Sequence, residues 1–453
     1  MTRAYGAVVF GSGEDLMKFY IQTFGCQMNV NESQKVEALL LARGFERAES
    51  PESSDIVLVN TCSVREKPER KVFSFVGRLK APGRIIGVMG CVAQQYGEKM
   101  TEREGAIDFV VGTQNLHKVP EILTAVLQEK TKRVETEFYS PETSLEIFKV
   151  PLSSPKVSAY VTVMQGCDRF CSYCIVPFVR GRERSRPSAE ILEEVKTLAE
   201  KGVKEIILLG QNVNRYGLDR GNDLTFPRLL RKIDSIEGIA RVRFVTSHPA
   251  SLDNETIRLF GELETICESI HLPFQSGSDR ILKMMGRGYS RALYLDRIEK
   301  LREVQPEIAL SADVMVGFPG ETEEDFRKTL SLMETVRFDT LFSFRYTPRP
   351  MTRAAEYPSQ IPEEVKLERL QTLQALQYEI TLEKNRLQVG KIKKVLVEKP
   401  SKRPVGFMMG RARDNRVVNF EGSQELVGKE IEVRIVEGYQ NSLLGRVEES
   451  YVH

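Results

Sequence analysis

The stretch Cys167-Asp-Arg-Phe-Cys171-Ser-Tyr-Cys174 spaces three cysteines as C-x3-C-x2-C. It follows a β-like run at residues 157–165, so the cysteines lie on a loop where a predicted strand ends. A closed zinc site needs four ligands, but no fourth cysteine lies nearby and the chain has only four histidines. Three thiolates instead leave one iron of a [4Fe–4S] cluster open to a substrate or cofactor. The stretch therefore predicts an iron–sulfur site with an open iron; the alternative is a zinc loop or three buried thiols.

Around this motif the sequence repeats a strand–helix pattern. Six β-like runs alternate with helical patterns, at residues 157–165, 204–209, 241–246, 268–272, 308–314 and 338–344. Six units are too few to close an eight-stranded barrel of the TIM class, so we predict an open, partial (β/α)6 barrel. A long polar helix pattern follows at residues 362–388.

The N-terminal region predicts a separate α/β domain with a parallel sheet. Its β-like runs lie at residues 18–24, 55–60, 84–89 and 107–111, with helical patterns at 33–43 and 66–79 between them. Cys26, Cys62 and Cys91 each come just after one of these runs. The carboxyl ends of parallel strands share one edge of a sheet, so the three thiols are expected to converge and hold a second iron–sulfur cluster. The alternative is that some of them are ordinary buried cysteines, which is our prediction for Cys267.

The C-terminal region is all-β in character and resembles small OB-type barrels, many of which bind nucleic acid. Residues 386–416 contain ten Lys or Arg against two acidic residues, which favours an RNA contact surface over a merely solvated face. The predicted contacts are Lys393, Lys394, Lys402 and Arg403. Residues 131–155 have no periodicity and are predicted to be a connecting segment. The predicted domains are therefore 18–132, 153–384 and 386–449.

Composition narrows the class of protein. A chain of 453 residues accommodates about three domains. The net charge is only +2, so a nucleic-acid partner has to be held by local basic patches. Residues 1–10 have too short an apolar run for a signal peptide, and no segment approaches a membrane span. Seven widely spread cysteines do not suggest a secreted disulfide framework, so we expect a reducing cytoplasm. We expect no membrane partner, and we expect the protein to be a monomer.

Four further motifs carry a resemblance to a known family: Gly25-Cys-Gln-Met-Asn29, Asn60-Thr-Cys-Ser-Val-Arg65, Cys174-Ile-Val-Pro-Phe-Val-Arg180-Gly and His271-Leu-Pro-Phe-Gln-Ser-Gly277. With C-x3-C-x2-C, the signature of radical S-adenosylmethionine (SAM) enzymes, they make the sequence closely resemble the methylthiotransferases. These combine an N-terminal cluster domain, a radical SAM core and a C-terminal TRAM domain, and the resemblance runs from about residue 18 to 447. Within the family, the motifs match the branch that acts on isopentenyladenosine in tRNA.

The resemblance implies a transferase that converts N6-(dimethylallyl)adenosine to its 2-methylthio derivative at position 37 of tRNA, next to the anticodon. It implies two [4Fe–4S] clusters, one on each cysteine triad, and two SAM molecules per turnover. One SAM yields the radical that removes the hydrogen from adenine carbon 2, and the other methylates the inserted sulfur. The cluster on Cys26, Cys62 and Cys91 would carry or donate that sulfur. The implied partners are the tRNA anticodon stem-loop and an electron donor such as flavodoxin or ferredoxin.

Family resemblance and position after barrel strands together predict the SAM-binding residues: Gly210, Gln211, Asn212, Gln275, Ser311, Asp313 and Gly317. The turn at residues 317–321 is explained equally well as a tight turn before a helix. Arg180 and Arg182, with the neighbouring Arg184 and Arg186, are expected to hold tRNA phosphates; alternatively, some of them pair with Glu183 or Glu190, or bind SAM.

Three other functions stay open at this stage: methylthiolation of an aspartate of ribosomal protein S12, methylthiolation of threonylcarbamoyladenosine in tRNA, and a non-enzymatic iron–sulfur RNA-binding protein. A basic barrel counts against a basic protein substrate. The sequence departs from the family at Met351, where a Gly is usual. If that Gly has a positive φ, Met351 is expected to force a local rearrangement.

Overall fold

The computed structural model describes residues 16–63, 66–103, 105–138, 143–153, 156–221, 223–402 and 405–448. The chain divides into two compact units. Unit 1 comprises Met1–Ser154, Gln165–Asp168 and Cys174–Arg186, and unit 2 comprises Pro155–Met164, Arg169–Tyr173 and Pro187–His453.

The strands and helices are numbered in chain order. The strands are β1 (Lys18–Phe24), β2 (Glu46–Arg47), β3 (Ile56–Thr61), β4 (Ile85–Gly90), β5 (Phe109–Val111), β6 (Arg133–Glu135), β7 (Ser158–Thr162), β8 (Met164–Gln165), β9 (Arg184–Ser185), β10 (Glu205–Leu209), β11 (Arg241–Phe244), β12 (Ser269–His271), β13 (Ala309–Val316), β14 (Thr340–Arg345), β15 (Ile392–Pro400), β16 (Phe407–Ala412), β17 (Val417–Glu421), β18 (Glu430–Gly438) and β19 (Leu443–Val447). The α-helices are α1 (Gln27–Ala42), α2 (Glu66–Leu79), α3 (Cys91–Tyr96), α4 (Glu98–Arg103), α5 (Val119–Glu129), α6 (Val176–Arg180), α7 (Ser188–Glu200), α8 (Phe226–Asp234), α9 (Asn254–Glu262), α10 (Asp279–Met285), α11 (Arg291–Val304), α12 (Glu323–Val336) and α13 (Glu363–Arg386).

Unit 1 contains a six-stranded parallel sheet in the order β2-β1-β3-β4-β5-β6. Both faces of this sheet are covered. Along β3, Ile56 and Leu58 pack into one apolar cluster, whereas Val57 and Val59 pack into another. This alternation explains why the strand is a continuous apolar run, as is typical of parallel sheets buried on both sides. The predicted N-terminal α/β fold is confirmed.

Two local predictions in unit 1 were wrong. Helix α1 begins at Gln27 rather than near residue 33, because its buried face carries polar side chains, Asn29 and Glu32 among them, and so lacks an apolar period. The segment at residues 131–155 is also more than a connector. Strand β6 adds to the sheet, and the 3-10 helix Thr143–Lys149 buries Ile147 and Phe148 in the core. Elements this short leave no periodic signal in the sequence.

In unit 2 the six predicted strands form two three-stranded parallel sheets, ordered β11-β10-β7 and β12-β13-β14. A single bridge, Val242 to Ile266, links β11 to the chain just before β12. At least one helix follows each of these strands, from α7 after β7 to α13 after β14, with both α10 and α11 after β12, as the predicted strand–helix alternation requires. The partial barrel is confirmed.

The C-terminal strands close into a small barrel in the order β15-β16-β17-β19-β18 around a core that includes Val395, Val418 and Phe420. Long charged side chains fasten this barrel to the core of unit 2. Arg241 on β11 donates to the carbonyl oxygens of Arg411 and Lys394 at 2.6 and 2.9 Å. Fold class is therefore confirmed along the chain, while the three domain boundaries stay a prediction. No helix among the described residues is long and apolar enough to cross a membrane.

Candidate active site

Cys26, Cys62 and Cys91 lie at one edge of the unit 1 sheet. Strands β1, β3 and β4 are neighbours, and their register pairs Phe24 with Thr61 and Thr61 with Gly90. Cys62 and Cys91 immediately follow these paired residues, and Cys26 comes two residues after Phe24. Cys62 and Cys91 are buried, whereas Cys26 is exposed. Parallel pairing thus brings together three thiols that are remote in sequence.

A network of amides fixes the loop that carries Cys26. The Asn29 Oδ1 atom accepts hydrogen bonds from the Cys26 backbone N–H at 3.2 Å and from the Cys26 thiol at 3.3 Å. Asn29 Nδ2 donates to Asn60 Oδ1 at 3.0 Å, which links the loop after β1 to strand β3. A Cβ atom at Gly25 would lie 2.3 Å from Asn29 Oδ1, and one at Gly90 would lie 2.4 Å from Asn60 Oδ1. Glycine at both positions therefore lets the network close around the cysteines.

The charges at this edge favour a thiolate at Cys26. A hydrogen bond with Cys62 and the positive charge of Arg180 lower the pKa of the Cys26 thiol to about 5. Burial raises the pKa of the Cys91 thiol to about 11, although Arg180 acts in the opposite direction. Thiolates are the ligands that iron–sulfur clusters require, and a cation buried beside them suits an anionic site. The residues present fit such a cluster.

Arg180 does not lie where the phosphate prediction placed it. Its side chain is only 3% exposed and forms a two-pronged ion pair with the fully buried Glu32, at 2.6 and 3.2 Å. A buried guanidinium in this position cannot reach a nucleic-acid backbone, so the phosphate role of Arg180 was wrong. Of its neighbours, Arg186 is also buried, whereas Arg182 is 68% exposed and pairs with Asp168 at 2.6 Å.

The C-x3-C-x2-C loop is shared between the units, with Cys167 and Cys174 in unit 1 and Cys171 in unit 2. In unit 1 the Cys167 N–H donates to the Gly181 carbonyl at 3.1 Å. In unit 2 the buried Arg287 lies with its Nη1 atom 3.4 Å from the Cys171 sulfur. No three Cys, His, Asp or Glu side chains among the described residues are grouped as ligands of a single metal ion. A cluster does not require this grouping, because each of its thiolates binds a different iron atom.

Unit 2 presents buried polar atoms at the carboxyl ends of β10 and β11. Within the described part of the chain, Asn212 Oδ1, Ser247 Oγ and His248 Nε2 are buried without a hydrogen-bond partner. The Ala250 N–H donates to His248 Nδ1 at 3.2 Å, so the ring proton belongs on Nε2. Burial, reinforced by the charge of Arg287, lowers the pKa of His248 to about 2, so the ring is neutral. Buried polar atoms without partners at strand ends suit a polar cofactor such as SAM.

The other residues predicted to bind SAM have varied surroundings. Gln275 has a left-handed backbone, φ 64°, and its N–H donates to the Asp313 carbonyl at 3.0 Å. Ser311 Oγ lies 3.0 Å from His271 Nδ1, and Asp313 Oδ2 lies 3.6 Å from His271 Nε2. At Gly210 a Cβ atom would lie 2.6 Å from the Met164 side chain, and the adjacent Gln211 is half-buried. Their roles in SAM binding stay predictions.

At Gly317 the surrounding contacts support the turn interpretation. Its φ is 71°, and a Cβ atom would lie 2.3 Å from the Lys366 side chain. The Gly317 N–H donates to Glu321 Oε2 at 2.6 Å, and Arg369 donates to the same oxygen at 2.9 Å. The glycine is therefore required by the packing of the turn against α13.

Three family models match the chain: the radical SAM superfamily at residues 161–333, the uncharacterized protein family UPF0004 at 18–112, and the TRAM domain at 386–447. The protein named tRNA-2-methylthio-N(6)-dimethylallyladenosine synthase from Syntrophotalea carbinolica is 46% identical over 95% of this chain and 99% of its own length. The protein of the same name from Geobacter sulfurreducens is 49% identical over 94% of this chain and 97% of its own length. The chain belongs to this synthase family.

A solved structure supports the same fold. The radical SAM methyltransferase TsrM from Kitasatospora setae, with cobalamin and a [4Fe–4S] cluster bound, aligns with a TM-score of 0.53. The alignment covers 75% of this chain and 74% of that chain at 15% identity. The predicted membership of the methylthiotransferases is confirmed, and it brings one [4Fe–4S] cluster and SAM as cofactors of the radical SAM core.

Many basic residues of the run that was predicted to bind RNA form ion pairs with acidic residues of unit 2. Lys393 pairs with Asp414 at 2.6 Å and is only 15% exposed, and Arg413 pairs with Glu268 at 2.8 Å. Arg416 pairs with Asp339 and with Asp414. Lys394 and Lys402 are exposed, as is Lys399. Arg403 lies outside the described residues. The basic run thus serves partly to attach the barrel, and its exposed part is smaller than the sequence indicated.

Sequence reasoning missed several residues of the candidate site. Ser247 and His248 follow β11, and a polar Ser-His pair directly after the predicted strand at 241–246 is a usable signal. Glu32 was missed because it lies on a helix whose N-terminal half was not predicted. Arg287 gives no signal in sequence, because its proximity to Cys171 arises from tertiary packing.

Proposed function

We propose that this chain converts N6-(dimethylallyl)adenosine to 2-methylthio-N6-(dimethylallyl)adenosine at position 37 of tRNA. The observation that carries this proposal is the second thiol site: three cysteines placed by the register of neighbouring parallel strands, in a chain that also carries C-x3-C-x2-C. A radical SAM enzyme that only abstracts hydrogen has no need of it, whereas sulfur insertion does. Near-full-length identity to synthases of this name supports the same substrate.

The protein's own residues bind, orient and shield the reactants. Cys167, Cys171 and Cys174 would hold the radical SAM cluster, and Cys26, Cys62 and Cys91 a second one. Adenine carbon 2 is not a nucleophile, so acid–base steps cannot place a sulfur on it. When bound, the clusters and two SAM molecules per turnover would supply the radical, the sulfur and the methyl group for this reaction.

Binding of SAM falls to the buried polar atoms of unit 2. Because His248 is neutral and carries its proton on Nε2, it offers one buried donor, while Asn212 Oδ1 offers an acceptor. Asn212 and His248 lie just after the carboxyl ends of β10 and β11. Hydrogen bonds from these two side chains to SAM would offset the cost of burying their polar atoms unpaired. The exposed Lys394, Lys399 and Lys402 would contact the tRNA, whose target base has to leave its stack to reach a buried site.

The remaining parts of the proposal concern the cellular context. An electron donor of the flavodoxin or ferredoxin type would reduce the radical SAM cluster. We expect the protein to be a monomer. We also expect it to act in the reducing cytoplasm, where its cysteine thiolates are protected from oxidation.

Paired cysteine variants test the function. After anaerobic reconstitution, dithionite, SAM and substrate tRNA are added, and 5′-deoxyadenosine and modified nucleosides are measured by mass spectrometry. Cys171→Ala should abolish 5′-deoxyadenosine formation, because the radical SAM cluster loses a ligand. Cys62→Ala should keep SAM cleavage but stop methylthiolation.

Cys267→Ala is the matched control, because Cys267 is an equally buried cysteine outside both triads. It should retain both activities. A Cys62 variant that still methylthiolates tRNA would refute the role of the second site, and a chain that never yields 5′-deoxyadenosine is no radical enzyme.

A further inference from the structure

We propose that Arg180, held in place by Glu32, is a positioning residue that sets the reduction potential of the iron–sulfur cluster on Cys26, Cys62 and Cys91. This inference rests on the proposed function, since it requires that cluster. Arg180 would donate to the sulfur of Cys91 and place one positive charge beside the cluster, and Glu32 would place a compensating negative charge behind it.

Several independent contacts within unit 1 hold Arg180 in its position. Cys91 packs with Ile175 and Val179, two residues on the same short helical segment as Arg180. The carbonyl of Val179 accepts a hydrogen bond from Thr113 Oγ1 at 2.6 Å, and that of Arg180 accepts one from Gln114 Nε2 at 3.4 Å. These bonds tie the end of α6 to the loop after β5, beside the strand end that carries Cys91.

Glu32 restricts the guanidinium to one orientation. Each carboxylate oxygen of Glu32 accepts a hydrogen bond from one Nη atom of Arg180, and Asn29 Nδ2 donates to Glu32 Oε2 at 3.3 Å. Asn29 is also the residue that accepts from Cys26, so the chain Arg180–Glu32–Asn29–Cys26 links the guanidinium to one of the three thiols. Against the larger effect of burial, the charge of Arg180 lowers the pKa of the Cys91 thiol, which is consistent with a guanidinium close to that sulfur.

Stability alone does not explain such a pair. Both side chains are almost completely buried, and desolvation of a buried ion pair commonly cancels its Coulomb attraction. The potential of an iron–sulfur cluster, in contrast, depends directly on nearby charge and on hydrogen bonds to its sulfurs. Reduction adds one electron to a site that already carries three thiolates, so a nearby cation favours the reduced form and a nearby anion opposes it.

The test is a spectroscopic redox titration of the full-length protein in which Cys167, Cys171 and Cys174 are all replaced by Ala, so that only one cluster contributes a signal. In this background Arg180→Met should shift the midpoint potential to a more negative value. Glu32→Gln should shift it to a more positive value. Arg180→Lys keeps the charge without the planar fork and should give a smaller negative shift.

Opposite shifts with unchanged iron content support the proposal, because a purely structural pair would not move the potential in opposite directions. Shifts in the same direction, or no shift, would overturn it. Arg43→Met is the matched control, since Arg43 also pairs with a glutamate in unit 1, namely Glu121 at the surface, and it should leave the potential unchanged. If the parent protein without Cys167, Cys171 and Cys174 holds no iron at all, the proposed function fails instead. If only Arg180→Met loses iron, the midpoint potential of Arg180→Lys is measured instead. A negative shift supports the proposal, and a positive shift or none overturns it.

Discussion

At the scale of single residues, Met351, which stands where the family usually has Gly, has an unusual backbone conformation. Its φ is 66°, a conformation that favours glycine, and its side chain is 54% exposed. Met351 therefore has a left-handed backbone conformation, which is strained for a residue with a Cβ atom. This conformation costs an L-residue about 1–2 kcal/mol. Replacing the residue with Gly would remove that cost, but part of the gain would be lost because Gly raises the conformational entropy of the unfolded chain.

Met351→Gly is therefore expected to stabilise the protein by about 1 kcal/mol, measured as a higher urea midpoint. Met351→Ala keeps the Cβ atom and removes only exposed atoms, so its midpoint should stay close to that of the parent. Equal gains in both variants would show that the exposed side chain, not the backbone, was unfavourable.

At the scale of elements, the turn between β13 and α12 contains a titrating group. Burial raises the pKa of Glu321 to about 7, although the Gly317 N–H and Arg369 oppose the shift. Because the folded-state pKa lies above the usual 4.5, this carboxyl contributes most stability below about pH 4.5, and that contribution is lost as pH rises through 7. Urea midpoints from pH 5 to 8 should show the parent losing stability relative to Glu321→Gln, on the order of 2 kcal/mol in total. A constant difference across this range would contradict the assignment.

The attachment of the barrel is a second property of elements. Arg241 is fully buried, pairs with Glu430 at 2.7 Å and donates to carbonyls of β15 and β16. Arg241→Met leaves these acceptors unpaired, which is expected to cost about 3–5 kcal/mol. Hydrogen exchange of β15 and β16 amides should then accelerate. Arg231→Met, which breaks an exposed pair with Glu262, should leave exchange unchanged.

At the scale of the whole molecule, a net charge of +2 means that tRNA affinity has to come from a local surface. Replacing Lys394, Lys399 and Lys402 with Ala should reduce the slope of log affinity against log salt by roughly 0.7–0.9 for each phosphate group that the variant no longer binds. The control replaces three exposed lysines outside the C-terminal barrel, Lys196, Lys201 and Lys232, with Ala, and it changes the net charge by the same amount. Equal slopes in the two triple variants would place the RNA surface elsewhere.

The sequence by itself determined the strand–helix alternation, the partial barrel and the six candidate cluster cysteines. Strand periodicity is local, and a C-x3-C-x2-C loop has its chemistry within eight residues. The position of a cysteine just after a strand is also local, and the shared edge of a parallel sheet converts it into a prediction of convergence for Cys26, Cys62 and Cys91.

Only the tertiary structure decided where the long charged side chains end. Arg180 follows a cysteine motif and resembles a phosphate contact, yet it pairs with Glu32, 148 positions earlier in the chain. Arg413 and Arg416 belong to a basic run, yet they bind Glu268 and Asp339 of the core. A guanidinium on a flexible stem takes whichever carboxylate the fold brings near it, and desolvation makes that pairing obligatory once the group is buried. No local pattern encodes such a partner, because it is selected by packing between segments that are distant in sequence.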